Sequence, residues 1–375
     1  MIPFIDLNAQ QQRIRADIDR RISAVLDHGR YIMGPEIDEL EAQLAGRAGA
    51  KYAISCSSGT DALILGLLGL ELKPGQGVIV PSFTFAASAE AIAVLGAIPV
   101  FAEVSQLSFN LDADRLDQAF DAAQQAGIEV VGIMAVGLFG QPADMDALAA
   151  LAEDRGVWLL DDAAQSFGAN WRGRMVGSLA DVTATSFFPA KPLGCYGDGG
   201  ALFTDDDRIA EIAKSCRVHG QGRDKYENER IGMTGRMDTI QAAILLSKLT
   251  IFDDELEARQ KVADRYSDLL SDLPITCPSL CDGASSSWAQ YVVTLNEGYD
   301  RAELQSRLAD SDIPTAIYYP RPMHTQPPYL RYPRPADSLA VTEQLADSVL
   351  ALPMHPYLGE GEQDKVCSAL RHCLR

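Results

Sequence analysis

The chain has 375 residues, a length that permits a large core and favours two domains. Its formal net charge is −20, which argues against general nucleic-acid binding, since that needs a basic face, and against adhesion to anionic membranes. Hydrophobic residues make up 47% and charged residues 22%, as in ordinary soluble globular proteins.

The first half of the chain predicts alternating strands and helices. Two helices, over 14–26 and 36–44, are separated by a break at Gly34 and Pro35. Short apolar runs predict seven strands, at 52–55, 78–80, 100–104, 130–136, 157–160, 182–187 and 201–204. Helices are predicted between them, at 62–70, 86–95, 112–123 and 145–152. This alternation predicts an α/β fold with a mostly parallel seven-stranded sheet and helices on both faces.

The second half predicts a smaller α+β domain. A long amphipathic helix over 237–270, interrupted near 251–253, would link it to the sheet. Beyond this helix we predict strands at 291–295 and 314–317, and helices at 301–309 and 339–350. We therefore expect a large domain at 1–250, with an N-terminal helical arm at 1–47, and a small domain at 251–375.

The ends and cysteines of the chain give no sign of export. Residues 1–6 lack the basic start and long apolar core of a signal peptide, and no apolar run approaches the ~20 residues that span a bilayer. The seven cysteines form no Cys-x-x-Cys pair, and no histidine stands at zinc-finger spacing. We expect a cytoplasmic protein with reduced thiols and no structural metal.

A turn rich in small hydroxyl residues, 57–61, follows the first predicted strand and opens a helix. The backbone amides and the dipole at a helix N-terminus attract phosphate. The turn has neither the P-loop nor the dinucleotide-binding spacing, and an ordinary helix cap uses the same residue types. By itself it is therefore a weak indication of a phosphate site.

Two carboxylates, Asp161 and Asp162, end the predicted strand at 157–160. A carboxylate at that end of a parallel strand faces the crevice where ligands bind. Pyridoxal phosphate chemistry requires such a group to keep the pyridine nitrogen protonated. The alternative is that one of the two caps a following helix, as aspartate often does.

Lys191 stands in an apolar, glycine-rich stretch at 186–200, with no charged residue within five positions. A lysine in apolar surroundings has a depressed pKa, and its neutral amine can attack a carbonyl to form a Schiff base. The alternative is a lysine whose stem packs on apolar surface while its head reaches water. The local run alone leaves both interpretations open.

Together these motifs resemble the DegT/DnrJ/EryC1/StrS aminotransferases, which use pyridoxal 5'-phosphate to aminate keto groups on nucleotide-linked sugars. The resemblance extends over 5–357 and rests on Ser-Gly-Thr-Asp-Ala-Leu at 58–63, Pro-Ser-Phe-Thr-Phe at 81–85, Asp-Asp-Ala-Ala-Gln at 161–165 and Ser-Phe-Phe-Pro-x-Lys-Pro-Leu-Gly at 186–194. The motif sequences are most similar to those of members that act on UDP-3-keto sugars of the 2-acetamido-3-oxo-glucuronate type. The resemblance implies a fold-type I architecture and a homodimer with active sites between its subunits.

The resemblance also implies roles for individual side chains. Lys191 matches the Schiff-base lysine, Asp162 the carboxylate that pairs with the pyridine nitrogen, and Gln165 the group beside the ring hydroxyl. Phe85 matches the aromatic residue that lies on the pyridine face; without the resemblance it would be interpreted as a core residue. The phosphate-binding positions are Gly59, Thr60, Asp61 and Ser186.

One position departs from the family pattern. Many members have Gly-x-Asn-x-Arg before the helix that starts near Asp238, and that Asn reaches the phosphate from the neighbouring subunit. Here Thr234 takes the place of the Asn, and its shorter side chain donates a single hydrogen bond. Arg236 keeps its place and would meet substrate or cofactor from the partner chain.

Two further regions are candidates for the anionic sugar nucleotide. A basic segment supplies positive charge within an acidic protein, although acidic residues at 224, 227 and 229 also allow an ordinary solvated loop; it comprises Arg217, His219, Arg223, Lys225, Arg230 and Arg236. Tyr318 and Tyr319 match a pair near the sugar, or alternatively pack the small domain onto the large one.

The resemblance implies glutamate as amino donor and a role in surface polysaccharide synthesis, such as that of O-antigen or lipopolysaccharide. A UDP-3-keto-N-acetylglucosamine is the competing substrate. Related dehydratases carry His in place of the Schiff-base lysine, so Lys191 argues against that activity. A non-enzymatic regulator remains an alternative, although no basic DNA-binding tail is visible.

Overall fold

The computed structural model describes residues 2–224, 226–336 and 339–374. A seven-stranded sheet forms its centre, with strand order β1-β9-β8-β5-β4-β2-β3. All neighbouring strands in this sheet are parallel except those beside β9, which runs antiparallel to both β1 and β8. The seven strands are β1 (Tyr52–Cys56), β2 (Gly77–Pro81), β3 (Ile98–Ala102), β4 (Val130–Val136), β5 (Trp158–Asp162), β8 (Val182–Ser186) and β9 (Gly200–Thr204).

Helices cover both faces of this sheet, as the sequence predicts. Alternate residues of a strand point to opposite faces, so Met134 and Leu160 join one core cluster while Ile133 and Leu159 join another. The first face packs against α3 (Gly59–Gly69), α4 (Ala86–Val94) and α7 (Asp207–Cys216), and the second against α5 (Leu116–Gln125) and α6 (Met145–Arg155). The small hairpin of β6 (Asn170–Trp171) and β7 (Arg174–Met175) was not predicted.

The N-terminal arm consists of α1 (Leu7–His28) and α2 (Pro35–Ala48). A proline at the first helical position starts α2, and Gly49 ends it in the left-handed conformation that glycine adopts without strain. The arm packs against α8 (Thr239–Leu249), whose apolar side chains extend the core. The expected interruption of the long helix is real, because α8 ends at Leu249 and α9 (Phe252–Leu270) begins three residues later.

The C-terminal part is built on a three-stranded antiparallel sheet with order β10-β11-β12. Its strands are β10 (Ile275–Thr276), β11 (Tyr291–Leu295) and β12 (Val349–Leu352), and its helices are α10 (Arg301–Asp310), α11 (Ala340–Ser348) and α12 (Glu360–Cys373). Tyr266 of α9, Leu308 and Leu370 share one core cluster with this sheet, and Ile2 joins them. By contrast, Phe252 at the start of α9 packs with the large sheet.

Two predicted elements of this part were wrong in their bounds or type. The predicted helix at 339–350 stops at Ser348, because the apolar run Val349–Leu352 pairs with β11 as a strand. The predicted strand at 314–317 is only an isolated bridge between Ala316 and Ala351. Pro314 lacks the amide hydrogen that a ladder requires. Among the described residues, no helix is long and apolar enough to span a membrane.

Candidate active site

The strands β1, β2, β4, β5 and β8 end at a common cavity of about 460 Å³. Ligands of open α/β sheets bind at this edge, beyond the carboxyl ends of parallel strands. The cavity wall includes most of the site residues predicted from the sequence, namely Gly59, Thr60, Phe85, Asp162, Gln165, Ser186, Lys191, Tyr318 and Tyr319. The fold therefore brings together segments that are more than 250 residues apart in the chain.

Lys191 lies on the cavity wall just beyond β8, and its backbone N–H donates to the carbonyl of Phe188 at 2.8 Å. Removal from water lowers the pKa of its ammonium below 10.5, and the nearby charge of Asp162 partly opposes that change. The side chain therefore faces the cavity and holds a proton weakly. This is the state that a nucleophilic amine needs.

Asp162 ends β5 inside the cavity. Its Oδ2 accepts a hydrogen bond from the Ser88 hydroxyl at 2.7 Å, and its Oδ1 accepts one from the Ala164 N–H at 3.2 Å. Burial raises the pKa of this carboxyl, while these two hydrogen bonds and the charge of Lys191 act in the opposite direction. The next helix after β5 is α7, so the alternative that Asp162 caps a following helix is wrong.

Asp161 points to the opposite face of the sheet. It is fully buried, and neither of its carboxylate oxygens has a hydrogen-bond partner among the described residues. Burial, together with the charge of Asp162, raises the pKa of this carboxyl to about 7. In mildly acidic solution Asp161 is therefore mostly neutral.

The N-terminus of α3 forms a cradle for an anion. Ser58, Gly59 and Thr60 line the cavity there, opposite Ser186. A Cβ atom at Gly59 would lie 2.6 Å from the Cβ of Ser186, so only glycine permits this close approach of α3 and β8. The positive end of the helix dipole and the free amides of its first turn favour phosphate binding at this point.

Asp61 does not line this cavity. Its backbone N–H donates to the Ser58 hydroxyl at 3.0 Å, which caps the helix, and its carboxylate accepts a hydrogen bond from the Ser57 hydroxyl. Asp61 thus stabilises the turn that presents the amides.

The aromatic side of the cavity is formed by Phe85 and Tyr319. Phe85 is 56% exposed, and its ring centroid lies 6.1 Å from that of Tyr319. The alternative interpretation of Phe85 as a core residue is therefore wrong. Tyr319 accepts a hydrogen bond at 3.1 Å from Nε2 of Gln165, whose Oε1 in turn accepts from the Phe139 N–H at 2.8 Å. These contacts fix the orientation of the Gln165 amide.

The arrangement fits a pyridoxal phosphate. A glycine-permitted anion cradle, a weakly basic lysine, a hydrogen-bonded carboxylate and an exposed flat aromatic ring all face one cavity. Ser88 was not identified from the sequence, although it is fully buried and holds Asp162. The only local signal for it is a hydroxyl on the buried face of the alanine-rich α4.

Besides Asp61, three further predicted residues lie outside the cavity wall of this single chain. Thr234 and His219 are exposed and contact each other, with 2.9 Å between Oγ1 and Nε2. The Nε of Arg236 is buried without a hydrogen-bond partner in the described part of the chain. Gly235 accepts the N–H of Ser57 at 3.1 Å, which places the Thr234–Arg236 segment beside the turn before α3.

The basic segment is not a uniform positive surface. Arg217 is only 4% exposed and donates to the Glu41 carboxylate at 2.5 Å, so its predicted availability to an anion was wrong. Arg230 forms ion pairs with Glu211 and Glu229. Lys225 lies outside the described residues.

Comparison with known proteins supplies the family context. A model for the DegT/DnrJ/EryC1/StrS aminotransferase family matches residues 12–371. The UDP-2-acetamido-2-deoxy-3-oxo-D-glucuronate aminotransferase of Pseudomonas aeruginosa is 45% identical over 373 residues, covering 99% of each chain. A solved DegT DnrJ EryC1 StrS aminotransferase from Brucella abortus matches with a TM-score of 0.96 and 44% identity over 100% of both chains. The ntda protein of Bacillus subtilis, solved with bound cofactor PMP, has a TM-score of 0.90 and 29% identity over 100% of this chain and 85% of its own.

Proposed function

Because the chain belongs to the DegT/DnrJ/EryC1/StrS aminotransferase family, we propose that it aminates C3 of a UDP-2-acetamido-3-keto sugar of the glucuronate type. Pyridoxal 5'-phosphate is the cofactor, and we propose glutamate as the amino donor. The observation that carries the proposal is the meeting of Lys191 and Asp162 in a cavity that also has an anion cradle. The 45% identity to the aminotransferase of Pseudomonas aeruginosa supports this choice of sugar.

Lys191 is assigned the covalent and proton-transfer roles. Pyridoxal phosphate, when bound, supplies a carbon that can hold the amino group in transit and a ring that accepts electrons. The Nζ of Lys191, made less basic by burial, would hold the cofactor at rest through a covalent bond formed with loss of water. When it is not bonded to the cofactor, the same Nζ would accept the proton from the α-carbon of the donor and return a proton within the cavity.

Asp162 and the cradle are assigned to orientation and charge. The Asp162 carboxylate, held by Ser88 and the Ala164 amide, keeps the pyridine nitrogen protonated. The first turn of α3 and the hydroxyl of Ser186 bind the phosphate. Phe85, whose ring lies 6.1 Å from that of Tyr319, would stack on the ring face of the cofactor. Gln165, which donates a hydrogen bond to Tyr319, would lie beside the ring hydroxyl.

We also propose a homodimer in which Thr234, Arg236 and His219 complete the cavity of the partner. Support comes from the unpartnered buried Nε of Arg236 and from Ile231, which is 93% exposed in the same segment. In such a homodimer the partner would cover the exposed Ile231 side chain.

An Arg236→Ala variant is expected to lose most sugar-dependent turnover and to regain it by mixing with Lys191→Ala. In a mixed dimer one site takes both intact residues, so random assortment of equal amounts restores about a quarter of wild-type activity. Steady-state turnover after unfolding and refolding the mixture measures this. If both residues act within one chain, mixing restores nothing, and the shared site is excluded.

The substrate assignment is tested with purified enzyme loaded with pyridoxal phosphate and given glutamate. A UDP-3-keto-glucuronate and a UDP-3-keto-N-acetylglucosamine, each generated by a dehydrogenase, are compared by mass spectrometry of the amine product. We expect the glucuronate sugar to react at the higher kcat/KM. Preference for the uncharged sugar would reject the glucuronate assignment, and failure with both would reject the proposed function.

We further propose a cytoplasmic location and a role in surface polysaccharide synthesis, such as that of O-antigen. The location is supported by the seven cysteines, all of which are free thiols.

A further inference from the structure

A hydrogen-bonded chain of three side chains lies beside the cavity and joins three separate elements. Ser82 follows β2, His324 lies in the short 3₁₀ turn Met323–Thr325, and Glu343 is on α11. Ser82 Oγ lies 2.7 Å from His324 Nδ1, and His324 Nε2 lies 3.1 Å from Oε1 of Glu343. Ser82 is fully buried, and His324 is only 3% exposed.

One protonation state of the His324 ring satisfies the hydrogen-bonding groups of Ser82, His324 and Glu343. The backbone N–H of His324 donates to Ser82 Oγ at 3.1 Å, and the ionised Glu343 carboxylate can only accept, so the hydrogen of the neutral ring is required at Nε2. Nδ1 is therefore an acceptor, and the proton of the neutral ring is on Nε2, where it is donated to Glu343. A doubly protonated ring would present Nδ1–H to Ser82 Oγ and take the acceptor away from the hydroxyl proton.

The hydrogen bonds of Ser82, His324 and Glu343 hold two segments of the cavity wall together. Ser82 stands directly before the segment that carries Thr84 and Phe85, and its carbonyl accepts the Met323 N–H at 2.9 Å. His324 stands five residues after Tyr319. Between the two segments, the ring of Phe83 lies 6.5 Å from the ring of Tyr319. A shift of His324 away from Ser82 would therefore move the tyrosine pair relative to Phe85.

The start of α11, which carries Glu343, is attached to the large sheet by hydrogen bonds of its own. The Glu103 carboxylate, just after β3, accepts the N–H groups of Val341 and Thr342 and the Thr342 hydroxyl, at 2.9, 2.9 and 2.6 Å. These bonds attach the start of α11 to the large sheet. Glu343 is the next residue along the helix, so its backbone is held in place beside His324, and its carboxylate accepts from Nε2.

We infer that His324 is a positioning residue of the aminotransferase, whose neutral imidazole holds the Tyr318–Tyr319 segment against the end of β2 and so shapes the sugar side of the cavity. The inference rests on the proposed function for its substrate. His324 does not line the cavity, and it acts through the two tyrosines that do.

This role has a pH dependence of definite sign. Burial lowers the pKa of His324 below 6.5, and the charge of Arg334 lowers it further, while Glu343 and Glu103 act in the opposite direction. Above its pKa the ring is neutral and the Ser82 bond is intact. As the solution becomes more acidic than that pKa, the ring takes up a proton and Nδ1–H donates to Ser82 Oγ, which leaves the Ser82 hydroxyl proton without its acceptor, so the KM for the sugar should rise.

The test compares two amides that replace different parts of the imidazole. His324→Asn places an amide near Nδ1 and can keep the Ser82 bond, whereas His324→Gln places it near Nε2 and cannot. We expect the sugar KM to rise about tenfold in His324→Gln, which loses the fully buried Ser82 bond, and to stay within about twofold of wild type in His324→Asn, which loses only the partly exposed bond to Glu343. The acid-side rise in KM should disappear in both variants. Exposed His372→Gln is the matched control.

A structural role without positioning would give a different result. Equal losses in His324→Asn and His324→Gln, with lowered Tm and an unchanged KM, would overturn the inference. Hydrogen exchange of the amides in 318–329 provides a readout that needs no turnover. Faster exchange in His324→Gln than in His324→Asn supports positioning even if the wild-type enzyme proves inactive on UDP-keto sugars, and equal exchange in the two contradicts it.

Discussion

Replacing Lys191 with alanine should abolish amine transfer, with a fall in kcat of at least about 10⁴-fold, because one side chain supplies both the nucleophile and the proton carrier. Among the described residues, Lys191 is also the only lysine that lines the cavity wall. Wild-type protein treated with borohydride should carry the reduced cofactor on the peptide that contains Lys191. The variant should carry none, although it can still hold the cofactor through the cradle.

Lys214→Ala is the matched control for this variant, since Lys214 is exposed on α7, away from the cavity. It should label and turn over as the wild type does. Labelling of a different lysine in the wild type, or turnover by Lys191→Ala near the wild-type rate, would refute the assignment of the nucleophile.

The second large effect is expected for Asp162→Asn. The amide has the shape of the carboxylate but no charge, so it cannot keep the pyridine nitrogen protonated, and its nitrogen cannot accept the Ser88 hydroxyl proton. We expect kcat to fall by roughly 10²- to 10⁴-fold, the range typical of a lost proton-transfer partner, while the fold and the cofactor content remain. Stopped-flow absorbance after addition of glutamate measures the first half of the reaction directly.

Asp161→Asn provides an internal comparison for Asp162→Asn. Asp161 is the adjacent carboxyl on the other face of the same strand, and it is already mostly neutral in mildly acidic solution. Its amide variant should therefore keep kcat within a few-fold of wild type at pH 6. If the two variants exchanged their effects, the carboxylate that serves the cofactor would be Asp161 and the present assignment would be wrong.

The sequence predicted most of the fold because its signals are local. β4 and β11 have the predicted bounds, since each is a compact apolar run between polar or turn residues. The errors at 339–350 and 314–317 have another origin. Val349–Leu352 could continue a helix or form a strand, and its pairing with β11 decides between them. Pairings of this kind are set by residues far away in the chain.

The site was predicted unevenly for the same reason. Motifs at strand ends identified Lys191 and Asp162, whereas Ser88 is 74 residues from Asp162, and only the packing of α4 brings the two together. Thr234 and Arg236 stay predictions, since a single chain does not show what a partner would add. The expected domain boundary at residue 250 likewise stays a prediction. Helix α9 contributes Phe252 to the core of the large sheet and Tyr266 to the core of the C-terminal sheet.

The burial of Ile2 has a consequence for synthesis on the ribosome. Ile2 shares a core with Tyr266, Leu350 and Leu370, so this residue cannot reach its final environment until the chain as far as Leu370 has been made. At translation speeds of about 5–20 residues per second, this apolar N-terminus waits for roughly 20 seconds or longer. During that interval the large sheet can form from residues already made, and the ends of the chain close the structure last.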